Sequence, residues 1–343
     1  MSKRAIILFN LGGPDKPEAV EPFLFNLFND PAIIGAPGPI RYLIARLISR
    51  RRAPIAREIY ANLGGGSPLL PNTQAQARAL EMALTQPGEE TRCFIAMRYW
   101  HPRADDVARE VAAWKPDRVV LVPLYPQYSK TTSGSSLKEW QKAAEAAGLT
   151  APVSTLCCWP EEPGFISAAA DLVRETYAGA LAHGTPRVLF SAHGLPKKVI
   201  RSGDPYQFQV EKSAAAVVEA LGIPQLDWLV SYQSRVGPLE WIGPATDDEI
   251  RRAGQDKVPL IVCPIAFVSD HSETLVELDI EYKHLADESG VPAYFRVPVV
   301  ATHPAFIDGL ARAIALKDRQ GGLSCAGGGR LCPAAFGQCP ARA

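Results

Sequence analysis

Short apolar runs recur along the chain and alternate with segments of helical periodicity. Most of these runs are continuously apolar, which is typical of parallel strands that are covered on both faces. In one helical segment, Val20, Phe23, Leu24, Leu27 and Phe28 repeat at spacings of three and four. The pattern predicts strands over Ala5–Asn10, Arg92–Tyr99, Arg118–Leu124, Arg187–Ala192, Asp227–Tyr232, Val258–Phe267 and Ala293–Val297.

The order of these elements predicts the architecture. Strands that alternate with helices indicate an α/β fold, and two sets of about four strands suggest two doubly wound sheets flanked by helices. The 343 residues are enough for two cores. We place a boundary in "CCWPEEPG", which predicts domains over residues 1–160 and 161–320, followed by a Gly/Pro/Cys-rich tail over residues 321–343.

Composition narrows the functional class. Apolar residues make up 47% of the chain, while Lys+Arg and Asp+Glu both number 36, so the net charge is zero. A neutral protein is a poor candidate for bulk nucleic-acid binding. We find no signal-peptide pattern and no apolar run of transmembrane length, and seven cysteines are too few for a disulfide scaffold. We therefore expect a cytoplasmic protein.

Candidate chemistry lies at the carboxyl ends of the predicted strands, where parallel sheets bind ligands. Polar and aromatic residues follow nearly every strand, in "NLGGP", "RYWHP", "YPQYSKTTSGSS", "AHGLP", "QSRVGP" and "VSDHSE". This distribution predicts one large cleft between the two domains. No dinucleotide or P-loop fingerprint is present, and the Gly/Ser-rich stretches 64–68 and 131–136 fit turns and helix caps better than a phosphate cradle.

His193 ends a buried strand in "LFSAHGLP". The Gly and Pro that follow cannot continue the strand, so the ring is expected at a chain reversal. A lone histidine is commonly structural, but this position at the carboxyl end of a parallel strand favours a functional role.

A row of carboxylates follows the strand that contains Ile261. Asp270 and His271 precede Glu273, and Glu277 and Glu281 then follow at steps of four. A capping box formed by Asp270 and Glu273 would explain Glu273 alone. Like charges four residues apart repel each other, so either a solvated face or a functional row must explain the remaining two. The carboxylates lie beside an apolar stripe that predicts the buried face of this helix, formed by Leu275, Leu278, Tyr282 and Leu285. Imidazole and carboxylate groups suit both a divalent first-row metal and the relay of protons.

The segment 40–52 combines an apolar stripe with arginines. The apolar stripe consists of Ile40, Leu43, Ile44, Leu47 and Ile48 on one face. The cationic residues of the segment are Arg41, Arg46 and Arg50–Arg52. Either this is an ordinary core-facing helix, or it is a lip, within residues 20–55, that touches a membrane or a large apolar ligand.

Taken together, these motifs resemble those of the ferrochelatases, which insert Fe(II) into a porphyrin in heme synthesis. The resemblance covers residues 5–315 and includes "LGGGSP", "MRYWHP", "YPQYSKTTSGSSL", "FSAHGLP", "GDPY", "YQSRVGPLEWIGP" and "PIAFVSDHSETLVELDIEY" in order. It implies two Rossmann-like domains with parallel four-stranded sheets, a porphyrin cleft between them and no nucleotide.

The resemblance also implies roles for individual residues. His193 matches a proton acceptor or metal ligand, and Glu273 its partner carboxylate. These two residues would also contact the iron substrate. The acidic path matches His271, Glu277 and Glu281, with Asp270 beside it. The residues expected at the macrocycle and its propionates are Tyr60, Arg98, Tyr99, Trp241, Phe267, Arg51 and Arg52.

The cysteines raise the question of a cofactor. Cys325, Cys332 and Cys339 are seven residues apart in a tail with little apolar surface, which a metal site would hold in place. Animal ferrochelatases bind a [2Fe–2S] cluster with one mid-chain and three C-terminal cysteines, but Lys130 stands at that mid-chain position here. The fourth ligand is therefore expected from Cys158 or Cys157, with zinc as the competing occupant.

The leading hypothesis is insertion of Fe(II) into protoporphyrin IX with release of two protons. The alternatives are a chelatase for cobalt, nickel or coproporphyrin, and a non-catalytic heme- or metal-binding protein on the same scaffold. Expected partners are protoporphyrin IX and Fe(II), without nucleic acid. Peripheral contact with the inner face of a membrane and a homodimer are left open.

Overall fold

The structure, a computed structural model, describes residues 2–235 and 239–341. The chain divides into two compact units. The first unit is Met1–Cys158 with Ala313–Gly328, and the second unit is Trp159–Arg312 with Gly329–Ala343. The segment expected to be a tail, 321–343, is thus shared between the two units. Residues 236–238 of the predicted "QSRVGP" loop lie outside the described residues.

The first unit contains, over the described residues, a parallel sheet of five strands in the order β2-β1-β3-β4-β9. The strands are β1 (Ser2–Asn10), β2 (Glu89–Met97), β3 (Arg118–Pro123), β4 (Val153–Leu156) and β9 (Leu323–Ser324). The helices are α1 (Val20–Phe28), α2 (Gly38–Ala61), α3 (Leu69–Ala83), α4 (Ala104–Trp114) and α5 (Ser133–Ala146).

This sheet differs from the predicted four strands, because the segment after residue 320 contributes β9. Thr155 pairs with Leu323 and Leu156 with Ser324, in parallel register. Leu323 and Ser324 follow two glycines and are too few to show an apolar pattern, so β9 could not be predicted from the sequence. Alternate side chains of β1, including Ile7 and Phe9, pack with Val107, Leu121 and Trp140 in one core.

The second unit contains, among its described residues, a parallel sheet of four strands in the order β6-β5-β7-β8. The strands are β5 (Arg187–His193), β6 (Trp228–Gln233), β7 (Leu260–Pro264) and β8 (Tyr294–Arg296). The helices are α6 (Pro163–Ala180), α7 (Lys197–Arg201), α8 (Tyr206–Leu221), α9 (Thr246–Asp256), α10 (Tyr282–Ser289) and α11 (Pro304–Gln320), whose last residues belong to the first unit. Two parallel α/β sheets confirm the predicted fold class.

A π-helix covers Glu273–Glu281 and continues directly into α10. Leu278 and Tyr282 of this segment pack with Leu260 and Val262 of β7, as the apolar stripe predicts. A capping box would place Asp270 at the N-cap and Glu273 three residues later. This alternative is wrong, because the helix begins at Glu273 and its N-cap is Ser272. A π-helix turn holds more residues than an α-helix turn and is frequent at functional sites.

Helix α2 is longer than the predicted segment and is oriented differently from an ordinary core helix. Ala45, Ala53 and Tyr60 form its buried side, and Ala53 and Tyr60 pack against α1. Leu43 is 66% exposed and Ile40 is 54% exposed, and Leu47 is exposed as well, whereas Ile44 and Ile48 are half-buried. The core-facing interpretation is therefore wrong for Ile40, Leu43 and Leu47, which face outward. No described helix has the length and the hydropathy to cross a membrane.

Candidate active site

His193 is the last residue of β5, and the register pairs it with Gln233 at the end of β6. The residue after it must be small. A Cβ at Gly194 would lie 2.9 Å from the Gln233 carbonyl oxygen and 3.3 Å from the Trp241 ring. The two strand ends therefore approach each other closely, and the His193 ring leaves the sheet at its carboxyl edge as predicted.

The partner of His193 is Glu273, the first residue of the π-helix. His193 Nδ1 and Glu273 Oε2 are 3.0 Å apart, within hydrogen-bond distance. Burial disfavours the imidazolium, but the charge of Glu273, its hydrogen bond and the charge of Glu277 together outweigh burial, so the pKa of His193 is raised. Burial also acts against the carboxylate, yet the charge and hydrogen bond of His193, with the charge of His271, together lower the pKa of Glu273. The pair therefore stabilises a proton on the ring and a negative charge on the carboxylate.

His271 lies beside this pair and is only 7% exposed. Its ring packs against Phe267 with 4.7 Å between ring centroids, and burial lowers its pKa despite the nearby Glu273 and Asp270. Its Nδ1 is buried and has no hydrogen-bond partner among the described residues. A neutral imidazole with one unsatisfied nitrogen is suited to contact a ligand.

Asp270 is held by its neighbours. Its Oδ1 accepts hydrogen bonds from Thr274 Oγ1 at 2.8 Å and from Arg296 Nη1 at 3.1 Å. Arg296 also binds Asp279 through two nitrogen–oxygen contacts, at 2.6 and 2.9 Å. Asp270 thus anchors the start of the π-helix to β8.

Glu277 lies one turn after Glu273 and is surrounded by donors. Its carboxylate accepts hydrogen bonds from the Ser234 backbone N–H at 2.9 Å and the Ser234 hydroxyl at 2.5 Å. Gln233 Nε2 at 3.2 Å and the Tyr282 hydroxyl at 3.1 Å complete the set. Burial and then the charge of Glu273 raise the pKa of Glu277, against the effect of these donors.

The carboxylate row runs from a part-buried pair to an exposed residue. Glu273 is part-buried, Glu277 is part-buried within its donors and Glu281, the last residue of the π-helix, is exposed. Glu277 and Tyr282 also line a cavity of about 540 Å³, with Trp241 and Asp247 on other walls. The row therefore extends from the His193–Glu273 pair to an exposed carboxylate within the second unit.

Arg98 and Tyr99 belong to the first unit and follow β2 directly. Their backbone N–H groups donate to Asn10 and Leu11 at 2.9 Å each, which continues the pairing of β1 and β2 past the strand ends. The guanidinium of Arg98 lies 4.9 Å from the centre of the Tyr99 ring. Both side chains also contact Asp30, a residue that no motif had singled out.

The remaining predicted substrate residues are in different settings. Tyr60 is buried where α1 packs on α2, and Arg51 and Arg52 are exposed on α2, with Arg52 5.9 Å from the Phe28 ring centre. Trp241 forms a bridge with Pro196 just after His193, and its Nε1 is buried without a partner among the described residues.

A comparison of the sequence with models of known protein families identifies the family of this chain. The model of the ferrochelatase family matches residues 3–317, which is nearly the whole chain. The chain belongs to the ferrochelatase family.

Curated ferrochelatases agree over the full length. The protein from Caulobacter vibrioides strain NA1000 / CB15N is 58% identical over 99% of this chain and 98% of its own. The protein from Phenylobacterium zucineum strain HLK1 is 57% identical over the same shares. The predictions that this chain is a ferrochelatase, and hence a metal chelatase of heme synthesis, are confirmed.

A solved structure of SirB from Bacillus subtilis with Fe³⁺ shares the fold at only 10% identity. Its TM-score is 0.53, and the match covers 93% of this chain and 96% of that one. A likeness at this identity concerns the fold and not the site.

The structure groups three of the ferrochelatase's seven cysteines in the first unit. Cys157, Cys158 and Cys325 are buried, and their sulfur atoms lie within 4.8 Å of one another. Cys158 Sγ is 3.3 Å from Cys325 Sγ, whereas Cys157 Sγ is 3.8 Å from it. The pairing of β4 with β9 produces this group, because Cys157 N–H donates to the Ser324 carbonyl at 2.9 Å.

Cys332 and Cys339 belong to the second unit. Cys332 is buried and accepts a hydrogen bond from Gln209 Nε2 at 3.1 Å, whereas Cys339 is half-buried. Of the two remaining cysteines, Cys263 is buried in β7, and burial raises its pKa to about 12. Cys93 in β2 is half-buried, and its pKa is also raised by burial.

Three ferrochelatase residues with central contacts were missed in the sequence. Asp30 binds Arg98 and Tyr99, and Ser234 binds Glu277. Lys317 is 4% exposed and donates to Ser324 Oγ at 2.6 Å, next to Cys325. Ser234 follows a predicted strand and could have been found from its position, but no local pattern marks Asp30 or Lys317.

Proposed function

We propose that this chain inserts Fe(II) into protoporphyrin IX with His193 as the proton acceptor and Glu273 as its partner carboxylate. The observation that carries the proposal is the 3.0 Å contact between these side chains at the carboxyl end of β5. Metallation removes two protons from pyrrole nitrogens while a divalent cation arrives. A site for this reaction needs a base at the macrocycle and a route by which positive charge leaves.

The His193–Glu273 pair has the properties of such a base. The carboxylate raises the pKa of His193, so the ring accepts a proton more readily than an isolated imidazole does. Glu273 keeps its negative charge because its own pKa is lowered. The same two side chains offer nitrogen and oxygen ligands that suit Fe(II) as substrate.

We propose that Glu277 and Glu281 take the proton onward, or carry iron in the opposite direction. The raised pKa of Glu277 supports proton transfer, because a carboxyl group that binds protons more readily can accept one from the pair. Exposed Glu281 then gives access to water. His271, neutral and with an unsatisfied Nδ1, is proposed as a further contact of the ligand, with Asp270 fixing its segment.

The aromatic residues are proposed to bind the macrocycle. Rigid walls at Phe267 and Tyr99 would favour a bent porphyrin, whose nitrogens are more accessible, and binding that form preferentially lowers the barrier. Tyr60, Trp241 and Arg98 complete the proposed set. The prediction of a porphyrin cleft between the two domains stays a prediction.

We propose that the outward-facing stripe of α2 is a lip for apolar material. Its exposed side chains, Ile40, Leu43 and Leu47, would contact the macrocycle edge or a membrane surface, which makes the protein peripheral to the inner face of a membrane. The exposed guanidinium groups of Arg51 and Arg52 would pair with the porphyrin propionates.

We further propose that the cysteines hold a [2Fe–2S] cluster. The donor set fits in part, because three buried thiols lie within 4.8 Å of one another. Cys158 and Cys325 would be two of the ligands, and their 3.3 Å separation favours Cys158 over Cys157. Cys332 and Cys339 would complete the four thiolates. The cluster would supply a covalent tie for the segment after residue 320.

The decisive experiment is anaerobic incubation of the purified protein with protoporphyrin IX and Fe(II), followed by the absorbance of heme. Zn(II) insertion gives a fluorescent product and a control for iron oxidation. A protein that forms neither product but still binds porphyrin would contradict the enzymatic proposal and favour a binding protein on the same scaffold. If coproporphyrin is metallated faster than protoporphyrin IX, or Co(II) is inserted faster than Fe(II), the substrate assignment changes accordingly.

A further inference from the structure

Asp30 is a buried carboxylate just after α1, and only 3% of its surface is exposed. The segment from Asp30 to Pro37, which leads to α2, forms a turn that is stabilised by the backbone carbonyl of Asp30. The N–H groups of Ile33 and Ile34 donate to the Asp30 carbonyl at 3.0 and 2.9 Å. Its side chain is therefore held where α1 ends and the segment leading to α2 begins.

One oxygen of this carboxylate accepts three hydrogen bonds. Oδ2 lies 2.8 Å from Arg98 Nη2, 2.8 Å from the Tyr99 hydroxyl and 2.5 Å from Ser135 Oγ. The other oxygen, Oδ1, accepts the N–H of Ala32 at 2.8 Å. The donors come from the end of β2, the first turn of α5 and Asp30's own loop.

Arg98 is fixed from two sides by this network. Its Nε donates to Ser135 Oγ at 2.7 Å while Nη2 binds Asp30, so the plane of the guanidinium is determined. Among the described residues, Nη1 has one charged neighbour, Glu139 at 3.9 Å, which is beyond hydrogen-bond distance. The Nη1 atom of the Arg98 guanidinium can therefore still donate hydrogen bonds to a ligand.

Tyr99 is fixed by the same oxygen. Its side chain is 1% exposed, its hydroxyl donates to Asp30, and Arg98 lies over its ring at 4.9 Å. Burial, and then the negative charge of Asp30, raise the pKa of Tyr99 well above its usual range. The phenol therefore stays protonated and acts as a donor to the carboxylate.

We propose that Asp30 is a positioning residue, which orients Arg98 and Tyr99 for the porphyrin and ties them to the segment between α1 and α2. The inference rests on the proposed function, in which Arg98 and Tyr99 contact the macrocycle. Asp30 itself needs no contact with substrate, because it acts through the two side chains that it holds. This role requires the negative charge of Asp30 as well as its shape, because the charge neutralises the nearly buried guanidinium of Arg98.

The competing explanation is that Asp30 only stabilises the fold. Removing one partner of a buried ion pair is strongly destabilising, so a loss of activity alone would not distinguish the two explanations. A control must therefore lose a comparable ion pair elsewhere in the same unit. Asp318 provides it, because its side chain is 6% exposed and pairs with Arg4 at 3.2 Å and with Arg118 at 2.8 Å. Glu89 also contacts both arginines.

The position of Asp318 makes the comparison informative. Arg4 and Arg118 lie near the amino ends of β1 and β3, whereas Arg98 follows the carboxyl end of β2. Asp318→Asn should weaken the fold without touching the carboxyl edge. Asp30→Asn should weaken it and also release Arg98 and Tyr99, since an amide keeps the size but loses the charge.

The experiment measures Zn(II) insertion into protoporphyrin IX for the wild type, Asp30→Asn, Asp318→Asn and Arg98→Lys, with thermal unfolding of each. Assays are run well below the lowest melting temperature. We expect Asp30→Asn to lower kcat/KM by about 10-fold to 100-fold, because small displacements of positioning groups have effects of this size. Asp318→Asn should keep wild-type kinetics.

A double variant tests whether Asp30 acts through Arg98. If it does, Asp30→Asn combined with Arg98→Lys should have the kcat/KM of Arg98→Lys alone, rather than the product of the two losses. If Asp30→Asn does not fold, Ser135→Ala takes its place, because Ser135 connects Asp30 to Arg98 Nε.

Each outcome decides a different claim. Equal kinetics of Asp30→Asn and Asp318→Asn, or losses that multiply in the double variant, would overturn the positioning role while leaving the activity proposal intact. Wild-type kinetics in Arg98→Lys would overturn both the role of Arg98 and the inference. Absence of metal insertion in the wild type would instead refute the proposed function.

Discussion

The imidazole of His193 and the carboxylate of Glu273 meet at 3.0 Å although 80 residues separate them along the chain. One is the last residue of a strand and the other the first residue of a π-helix. Each belongs to a well-packed element, so neither side chain needs a flexible loop to reach the other. The following experiments ask what this pair and its surroundings do.

Replacement of His193 by alanine should abolish most metal insertion while the fold is retained. Loss of an acid–base group typically costs about 10²–10⁴-fold in rate. The measurement is kcat for Zn(II) and Fe(II) insertion, with circular dichroism as a check of folding. His284→Ala is the matched control, because that ring is 73% exposed on α10. A His193→Ala protein within threefold of wild-type turnover would refute the assigned role.

The Glu273→Gln variant should move the acid limb of the pH–rate profile to lower pH. The neutral His193 ring is the base, so the rate rises as pH increases through the pKa of this residue. Glu273 raises that pKa, and removing its charge lets it fall, although the maximal rate also drops. The profile of kcat/KM against pH reports the free enzyme. An acid limb that stays in place, or moves upward, would separate Glu273 from the titration of His193.

Glu277→Gln and Glu281→Gln should slow metallation more than they change stability. An amide at position 277 can still accept from Ser234 and Tyr282, so the local structure should survive while proton binding is lost. We expect smaller losses than for Glu273→Gln. The rates are measured over a range of iron concentrations, with Glu288→Gln on the exposed face of α10 as control. Wild-type kinetics in both variants would make the row an ordinary helix surface.

The double substitution Arg51→Glu, Arg52→Glu should raise the porphyrin KM with little change in kcat. Reversed charges would repel the propionates during binding but leave the chemical step unaffected. A matched reversal on α9, Arg251→Glu with Arg252→Glu, controls for the change in net charge. If the KM of the lip variant equals that of the control, propionate pairing by this part of α2 is excluded.

Cys332→Ser should remove the colour expected of protein purified without oxygen. The wild type should be reddish and contain two irons and two sulfides per four thiolate ligands, as in other [2Fe–2S] sites. Cys93→Ser should keep the colour, because this cysteine lies in β2 apart from the thiol group. A colourless wild type with bound zinc, or with no metal, rejects the cluster. Loss of activity in Cys332→Ser should follow its loss of thermal stability.

Much of the site could be predicted because its residues follow strands. His193 and Arg98 come directly after apolar runs, and the ends of parallel strands meet at one edge of a sheet. The periodicity of Leu278 and Tyr282 also indicated correctly which side of their helix is buried. At these positions the apolar pattern of the sequence agrees with the place of the residue in the fold, so that place could be inferred from the pattern.

Other features depend on distant contacts that no local pattern reveals. Asp30 binds groups 68 and 105 residues away in sequence, and its neighbours resemble any helix end. The π-helix was missed because glutamates four residues apart fit an α-helix equally well. The outward stripe of α2 was ambiguous for a related reason, since periodicity shows that one face is apolar but not what covers it.

Strand β9 makes the completion of the first unit depend on a segment that is synthesised after the second sheet. The ribosome produces Leu323 and Ser324 only after the whole of the second sheet, yet they pair with β4, and Asp318 joins Arg4 and Arg118 from the same late segment. During translation the first unit must therefore wait with an open sheet edge, while Arg4 and Arg118 have Glu89 but not yet Asp318 as a partner. A stop codon between positions 157 and 318 would leave the first unit without β9 and Asp318, even though every residue of its other four strands was present.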